Sequence, residues 1–195
     1  MIRIGILGEN FQNDSCAFKA FMTPQYKSEI EFIPILKSLN GGKPPVEKVK
    51  RMMPIEIQKF KLNALLCILD LDTELQRREK NEWFASIRKS VSVESIFFLA
   101  VMELEALILA DIEKFNEIYG IKGQYTGNPK FQKDPKKELR IRTDKGTKAK
   151  RKYDEPHAEE IFKQLRFDVV RQKHIGDDSF NAFIKQFEKQ FMPPK

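Results

Sequence analysis

Five carboxylates occupy positions where a chain of alternating strands and helices would gather them. Glu9 directly follows the run Ile2-Arg3-Ile4-Gly5-Ile6-Leu7, Asp70 and Asp72 close an apolar run over residues 62–69, and Glu103 and Glu105 follow a strand-like stretch over residues 93–101. Like charges collected at the ends of buried strands repel one another, and a hard divalent cation with oxygen ligands offsets them. In an extended Asp-Leu-Asp both aspartates point to the same side while Leu71 points inwards. The pair suits Mg2+ (or Mn2+). Glu9 either shares that ion or moves a proton at an attacking water or a leaving oxygen. Glu103 and Glu105 diverge by about 200° around a helix, so Glu103, nearer the strand, is the preferred fourth member. A structural alternative stands beside this: Asp-x-Asp is short and common, Glu9 caps the next helix, and Asp72 competes with Thr73 for a cap. Asp111 and Glu113 are expected to face solvent.

The elements that would position these groups follow from periodicity. Residues 3–8, 29–36, 62–69 and 93–101 read as strands, the third buried on both faces. Helices are expected over residues 11–21, 46–60, 73–90 and 102–117, with Asn13 or Asp14 capping the first, Pro54 interrupting the second, and Thr73 and Gln76 forming a capping box on the third. A Gly/Pro-rich turn spans residues 39–45. This alternation specifies an α/β fold with a mostly parallel central sheet flanked by helices. Loops at the C-terminal strand ends would then assemble a site. Beyond Gly120 the chain turns basic and turn-rich, with a short helix over residues 135–141. Helices follow over residues 157–167 and 179–191, the last capped by Ser179, carrying Phe180, Phe183, Ile184 and Phe187 as its apolar stripe and stopped by Pro193-Pro194. Residues 1–120 are read as the α/β core and residues 121–195 as a basic segment and C-terminal helices packed on it, one structural unit.

The 195 residues carry a formal net charge of +7, with 41% hydrophobic and 32% charged residues, enough apolar side chain for a core. Residues 130–152 alone carry eleven basic and three acidic residues, so the rest of the chain is close to neutral. A local basic stretch reads as a contact surface for phosphates or an acidic partner, against the alternative of a solvated loop. Lys136, Lys137, Arg140, Arg142, Lys150, Arg151 and Lys152 are the candidate nucleic-acid contacts. Tyr119, Tyr125 and Phe131 flank the stretch and either stack on bases or pack locally. Two cysteines, Cys16 and Cys67, argue against a disulfide scaffold or a cysteine-built zinc site. His157 and His174 have no partner at metal spacing, and no glycine-rich loop ends in Gly-Lys-Ser/Thr. No apolar stretch is long enough to span a membrane, and the strand-like start favours the cytoplasm.

Gly8-Glu9, Leu69-Asp70-Leu71-Asp72 and the stretch from Met102 through Glu103-Leu104-Glu105-Ala106 to Asp111, followed by Asn128-Pro129-Lys130, Asp134-Pro135-Lys136 and Ser179-Phe180-Asn181, resemble a Toprim-like family of bacterial proteins often encoded near AAA-type ATPases in anti-phage defence loci. The resemblance implies a compact Toprim-like α/β domain, with Glu9 in acid–base chemistry, Asp70 and Asp72 on magnesium, and Glu103 as the extra acid of nuclease-type members. The chain departs from the family pattern at Asn10, where a second glycine is usual.

These observations lead to an expected Mg2+-dependent nuclease acting on DNA or RNA. The alternatives are a non-catalytic subunit docking on a partner ATPase through the Phe-rich last helix, and nucleic-acid binding without cleavage. The enzymatic reading requires Glu9 beside Asp70 and Asp72. It fails if each carboxylate is taken up by lysine, arginine or helix-end amides, in which case a basic binding or docking protein is the better description.

Overall fold

The computed structural model describes residues 1–37, 42–144 and 147–192. Four strands form a parallel sheet in the order β2-β1-β3-β4: β1 (Ile2–Leu7), β2 (Ile30–Pro34), β3 (Ala64–Leu71) and β4 (Glu94–Val101). β3 is central because its side chains are apolar on both faces. Ala64, Leu66 and Ile68 enter one core and Leu65, Cys67 and Leu69 the other.

Helices cover both faces. α2 (Val46–Phe60) and α3 (Arg77–Ser90) close one side through Val49, Met53, Trp83 and Ile87. The other side is larger and holds α1 (Ala17–Tyr26), α4 (Ala106–Ala110), α5 (Ile112–Tyr119), α6 (Pro135–Arg142), α7 (Ala158–Phe162), α8 (Phe167–Lys173) and α9 (Phe180–Phe191). Phenylalanine dominates there: Phe183 lies 4.8 Å from Phe98 and 6.1 Å from Phe18, ring centre to ring centre. Each such ring contributes about 2–3 kcal/mol by leaving water. The apolar stripe of α9 is therefore spent on the sheet. Phe180, Phe183, Ile184, Phe187 and Phe191 are all buried, which corrects the expectation that this face docks a partner.

Local departures have physical causes. The first helix opens with a π-helical turn, Phe11–Cys16, capped by Asn10, whose side chain accepts from the N–H groups of Gln12 and Asn13. Asn10 is extended (φ −122°), so the position needs no glycine. Pro54 does not interrupt α2; it sits on the exposed side of the helix. Thr73 makes no cap bond, and a 3-10 turn, Glu74–Gln76, precedes α3. The expected helix over residues 102–117 breaks at Asp111, whose buried carboxylate accepts from the backbone and side chain of Arg166. Asp111 is thus internal rather than solvent-facing, and Glu113 pairs with the same arginine. The expected helix over residues 157–167 is shorter, ending with α7 at Phe162, and α8, which runs on from Phe167 to Lys173, lies almost wholly beyond it. Ser179 caps α9 as read from the sequence. Residues 39–41 of the expected turn and the Pro193-Pro194 stop lie outside the described residues.

Candidate active site

The C-terminal ends of β1, β3 and β4 share one edge, and the candidate carboxylates meet there. Gly8 makes the first approach possible. A Cβ on it would lie 2.6 Å from the Asp14 Cβ, and its N–H donates to Ser15 Oγ at 2.9 Å. The π-helical turn therefore folds against the strand end and carries Asp14 beside Glu9, where Asp14 Oδ2 accepts from the Asn10 N–H at 2.6 Å. Asp70, the penultimate residue of β3, points into the face covered by α4. Its Oδ1 accepts the Leu104 N–H at 2.9 Å. That bond is available because the chain leaves β4 through a left-handed turn at Met102 (φ 68°), whose own N–H donates to Leu71 O.

Two lysines enter this acidic edge. Lys80, on the first turns of α3, is 5% exposed. Its Nζ lies 3.1 Å from Glu9 Oε1 and 3.6 Å from Asp72 Oδ2, and it donates to the Asp70 carbonyl. Lys136, on α6, places its Nζ 3.6 Å from Glu103 Oε1, 3.9 Å from Glu105 Oε1 and 3.9 Å from Glu155 Oε1. Its N–H also donates to Glu103 Oε2 at 3.0 Å, so Glu103 caps the start of α6. Tyr153 adds an O–H donor to Glu105 at 3.1 Å.

Burial pushes the Asp14 carboxyl up to about 6, with the nearby Glu9 charge adding to it. Burial pushes Glu105 up to about 7 against the opposing pull of Lys136. Burial also holds Asp70 well above the usual carboxylate range, reinforced by Asp14 and Glu105. Burial works against the Lys136 ammonium, yet Glu105, Glu103, Asp70 and Glu155 outweigh it and raise its pKa. The edge thus holds more acidic than basic charge, and the deficit appears as carboxyls that retain their protons.

Glu9, Asp70, Asp72 and Glu103 therefore lie on one edge, but each already has a partner. Glu9 and Asp72 meet Lys80, Asp70 meets a backbone amide, and Glu103 meets Lys136. Each of the first three is engaged through one oxygen, leaving Glu9 Oε2, Asp70 Oδ2 and Asp72 Oδ1 without a hydrogen bond among the described residues. The oxygen donors are those a hard divalent cation takes, from separate chain segments. Among the described residues, however, no three His, Cys, Asp or Glu side chains stand ready to hold one ion. The donor set fits such an ion in kind; the arrangement is one of carboxylates bridged by ammonium groups.

The basic candidates are also partnered. Lys136 is part of the acidic edge. Arg140 pairs with Glu155, Arg142 with Glu138, Arg151 with Glu160 and Lys152 with Asp144. Lys137 and Lys150 are exposed and make no ion pair among the described residues. Tyr119 is buried against Phe115, whereas Phe131 is exposed. His174 is internal, its Nδ1 accepting the Phe180 N–H.

Sequence reasoning missed Lys80, Asp14 as a site carboxyl, and the Glu105–Tyr153 pair. The signal for Lys80 was present: it shares a helical stripe with Trp83 and Ile87, and a lysine on the buried stripe of a helix needs a carboxylate to meet it. The chain matches no protein-family model, no curated protein and no solved structure. Among the described residues no helix is long and apolar enough to cross a membrane.

Proposed function

We propose that the C-terminal edge of this sheet is a metal-dependent phosphodiester-hydrolysing site of Toprim-like type, acting on DNA or RNA. The observation that carries the reading is the convergence of Glu9, Asp14, Asp70, Asp72, Glu103 and Glu105 with more negative charge than Lys80 and Lys136 neutralise. Asp70, Asp72 and Glu9 are the residues that would hold Mg2+ or Mn2+, with Glu103 behind them; they do not stand ready as three ligands in the arrangement seen, so taking up the ion would require the Lys80 ammonium between Glu9 and Asp72 to give way. Such an ion supplies charge neutralisation at a phosphoryl oxygen. The chain's own groups do the rest. Lys80 orients Glu9 and Asp72 towards each other. The Leu104 amide fixes Asp70. Asp14, with its carboxyl pushed up to about 6, exchanges a proton near neutral pH. Among the described residues of the basic segment, Lys137 and Lys150, with Lys133 and Lys148, are exposed cations without an ion pair, open to a phosphate backbone. Placement in an anti-phage locus beside an AAA-type ATPase belongs to the same proposal and rests on the family resemblance alone.

A second reading is favoured by a specific observation. Glu9, Asp72 and Glu103 are taken up by lysines and Asp70 by the Leu104 amide just ahead of α4, which is the condition under which the enzymatic reading is expected to fail and is how a purely structural network is built. In that case the chain is a binding protein without cleavage, for nucleic acid or for a partner ATPase.

Asp70→Asn separates the two. The amide oxygen still accepts from Leu104, so the fold persists. Cleavage of labelled single- and double-stranded DNA and RNA with Mg2+ or Mn2+ is expected to fall by roughly 100-fold or more. A folded variant that cleaves as well as the parent refutes the assignment, and a parent that cleaves nothing under these conditions supports the second reading.

A further inference from the structure

The sheet has a second feature, away from the carboxylate edge. β2 is an edge strand, and a trough runs between it and α1. One part, about 640 Å3, is lined by Phe11, Ala20, Pro24 and Pro34 with Lys19, Lys27 and Lys163 at its rim. It continues into a second part of about 350 Å3 over Ile30, Phe32 and Ile33, and the two share Lys19, Thr23 and Lys27. Those three residues are spaced four apart, Lys19 and Thr23 on α1 and Lys27 at its C-cap, and present one face along the strand.

Two properties of the trough point to an occupant. The first is backbone. Ile2 N–H donates to Glu29 O and Ile35 N–H to Ile6 O, and these bonds bracket the β1–β2 register. The alternation between them turns the peptide groups of Ile30 and Phe32 away from β1, with Pro34 placing its missing N–H on the same outer side. The outer edge therefore offers unused donors and acceptors beside an apolar channel. The second is charge. Lys19, Lys27 and Lys163 are exposed and make no ion pair among the described residues, while the acids lining the trough are Glu159 in the 640 Å3 part and Glu31, paired with Arg3, in the other.

We propose that this trough receives an extended acidic segment of a partner protein, which adds to β2 as a fifth strand. Backbone pairing supplies the register. Alternate apolar side chains enter the channel, and carboxylates between them meet Lys19, Lys27 and Lys163. A second copy of the chain is the poorer occupant, because two-fold pairing along β2 brings the same lysines together. The inference does not depend on the catalytic reading.

The probe is a phage-displayed library of random 12-residue peptides, selected on the full chain with the double variant K19E/K27E as counter-target. Peptides alternating acidic with β-branched or aromatic residues are expected to be enriched on the parent alone. A synthetic copy of the most enriched peptide, followed by fluorescence anisotropy, should bind the double variant at least tenfold more weakly. N-methylation of alternate amides on one edge of the peptide should cost at least tenfold, and on the other edge little. Equal enrichment on both targets, enriched peptides without acids, or indifference to N-methylation on either edge overturns the proposal. So does a dimer in sedimentation that K19E/K27E dissolves.

Discussion

Replacing Glu105 by Gln tests the electrostatics of the acidic edge without any assumption about substrate. The folded carboxyl is pushed up to about 7 from an ordinary value of 4.5, first by burial. A group whose folded pKa is raised lends its stability fully below the unfolded pKa and loses it as pH rises through the folded pKa. For Glu105 that window runs from about 4.5 to about 7. The difference, at ~1.36 kcal/mol per pH unit, is roughly 3 kcal/mol, and interaction with Asp70 lowers the expectation to about 2 kcal/mol. Gln keeps an acceptor for the Tyr153 O–H, and Lys136 retains Glu103 and Glu155 as partners. Glu105→Gln is therefore expected to be more stable than the parent by about 2 kcal/mol at pH 8 and equal to it near pH 4. Urea unfolding at pH 4, 6 and 8, followed through the fluorescence of the single, buried Trp83, reads the difference. A variant less stable than the parent at pH 8, or a difference that does not change with pH, would refute the reasoning.

Two other perturbations address separate parts of the molecule. Arg166→Met leaves the fully buried Asp111 carboxylate without its cation; with Arg166 itself partly exposed, a loss of about 2–3 kcal/mol is expected from chemical unfolding, and an unchanged midpoint would show that the pair does not hold the α4–α5 break. Neutralising Lys137 and Lys150 together should reduce the slope of log affinity against log salt for a DNA or RNA oligonucleotide by about 1.4–1.8, whereas neutralising Arg142 and Arg151, already paired with Glu138 and Glu160, should change it by less than half as much. The reverse order would mean that nucleic acid displaces those carboxylates on binding.

Sequence alone determined the layered α/β class, the four strands and the Ser179-capped last helix. Each depends on a local signal, a run of apolar residues or a capping hydroxyl, that neighbouring elements reinforce. It also placed Glu9, Asp70, Asp72 and Glu103 on one edge, because parallel strands in one sheet put their C-terminal ends together. Tertiary structure decided which charges those carboxylates meet. Lys80 arrives from α3 and Lys136 from α6, at sequence separations of 71 and 33 residues from Glu9 and Glu103, and no local pattern encodes an ion pair across that distance. The same holds for Asp111, which looks like a surface residue on an amphipathic helix until Arg166, 55 residues on, folds over it. The last helix is the plainest case. Its phenylalanine stripe is equally suited to a partner or to the sheet, and only the packing of α9 on β4 shows that the chain itself provides the cover. Periodicity reports which side of an element avoids water; what covers that side is a property of the assembled fold.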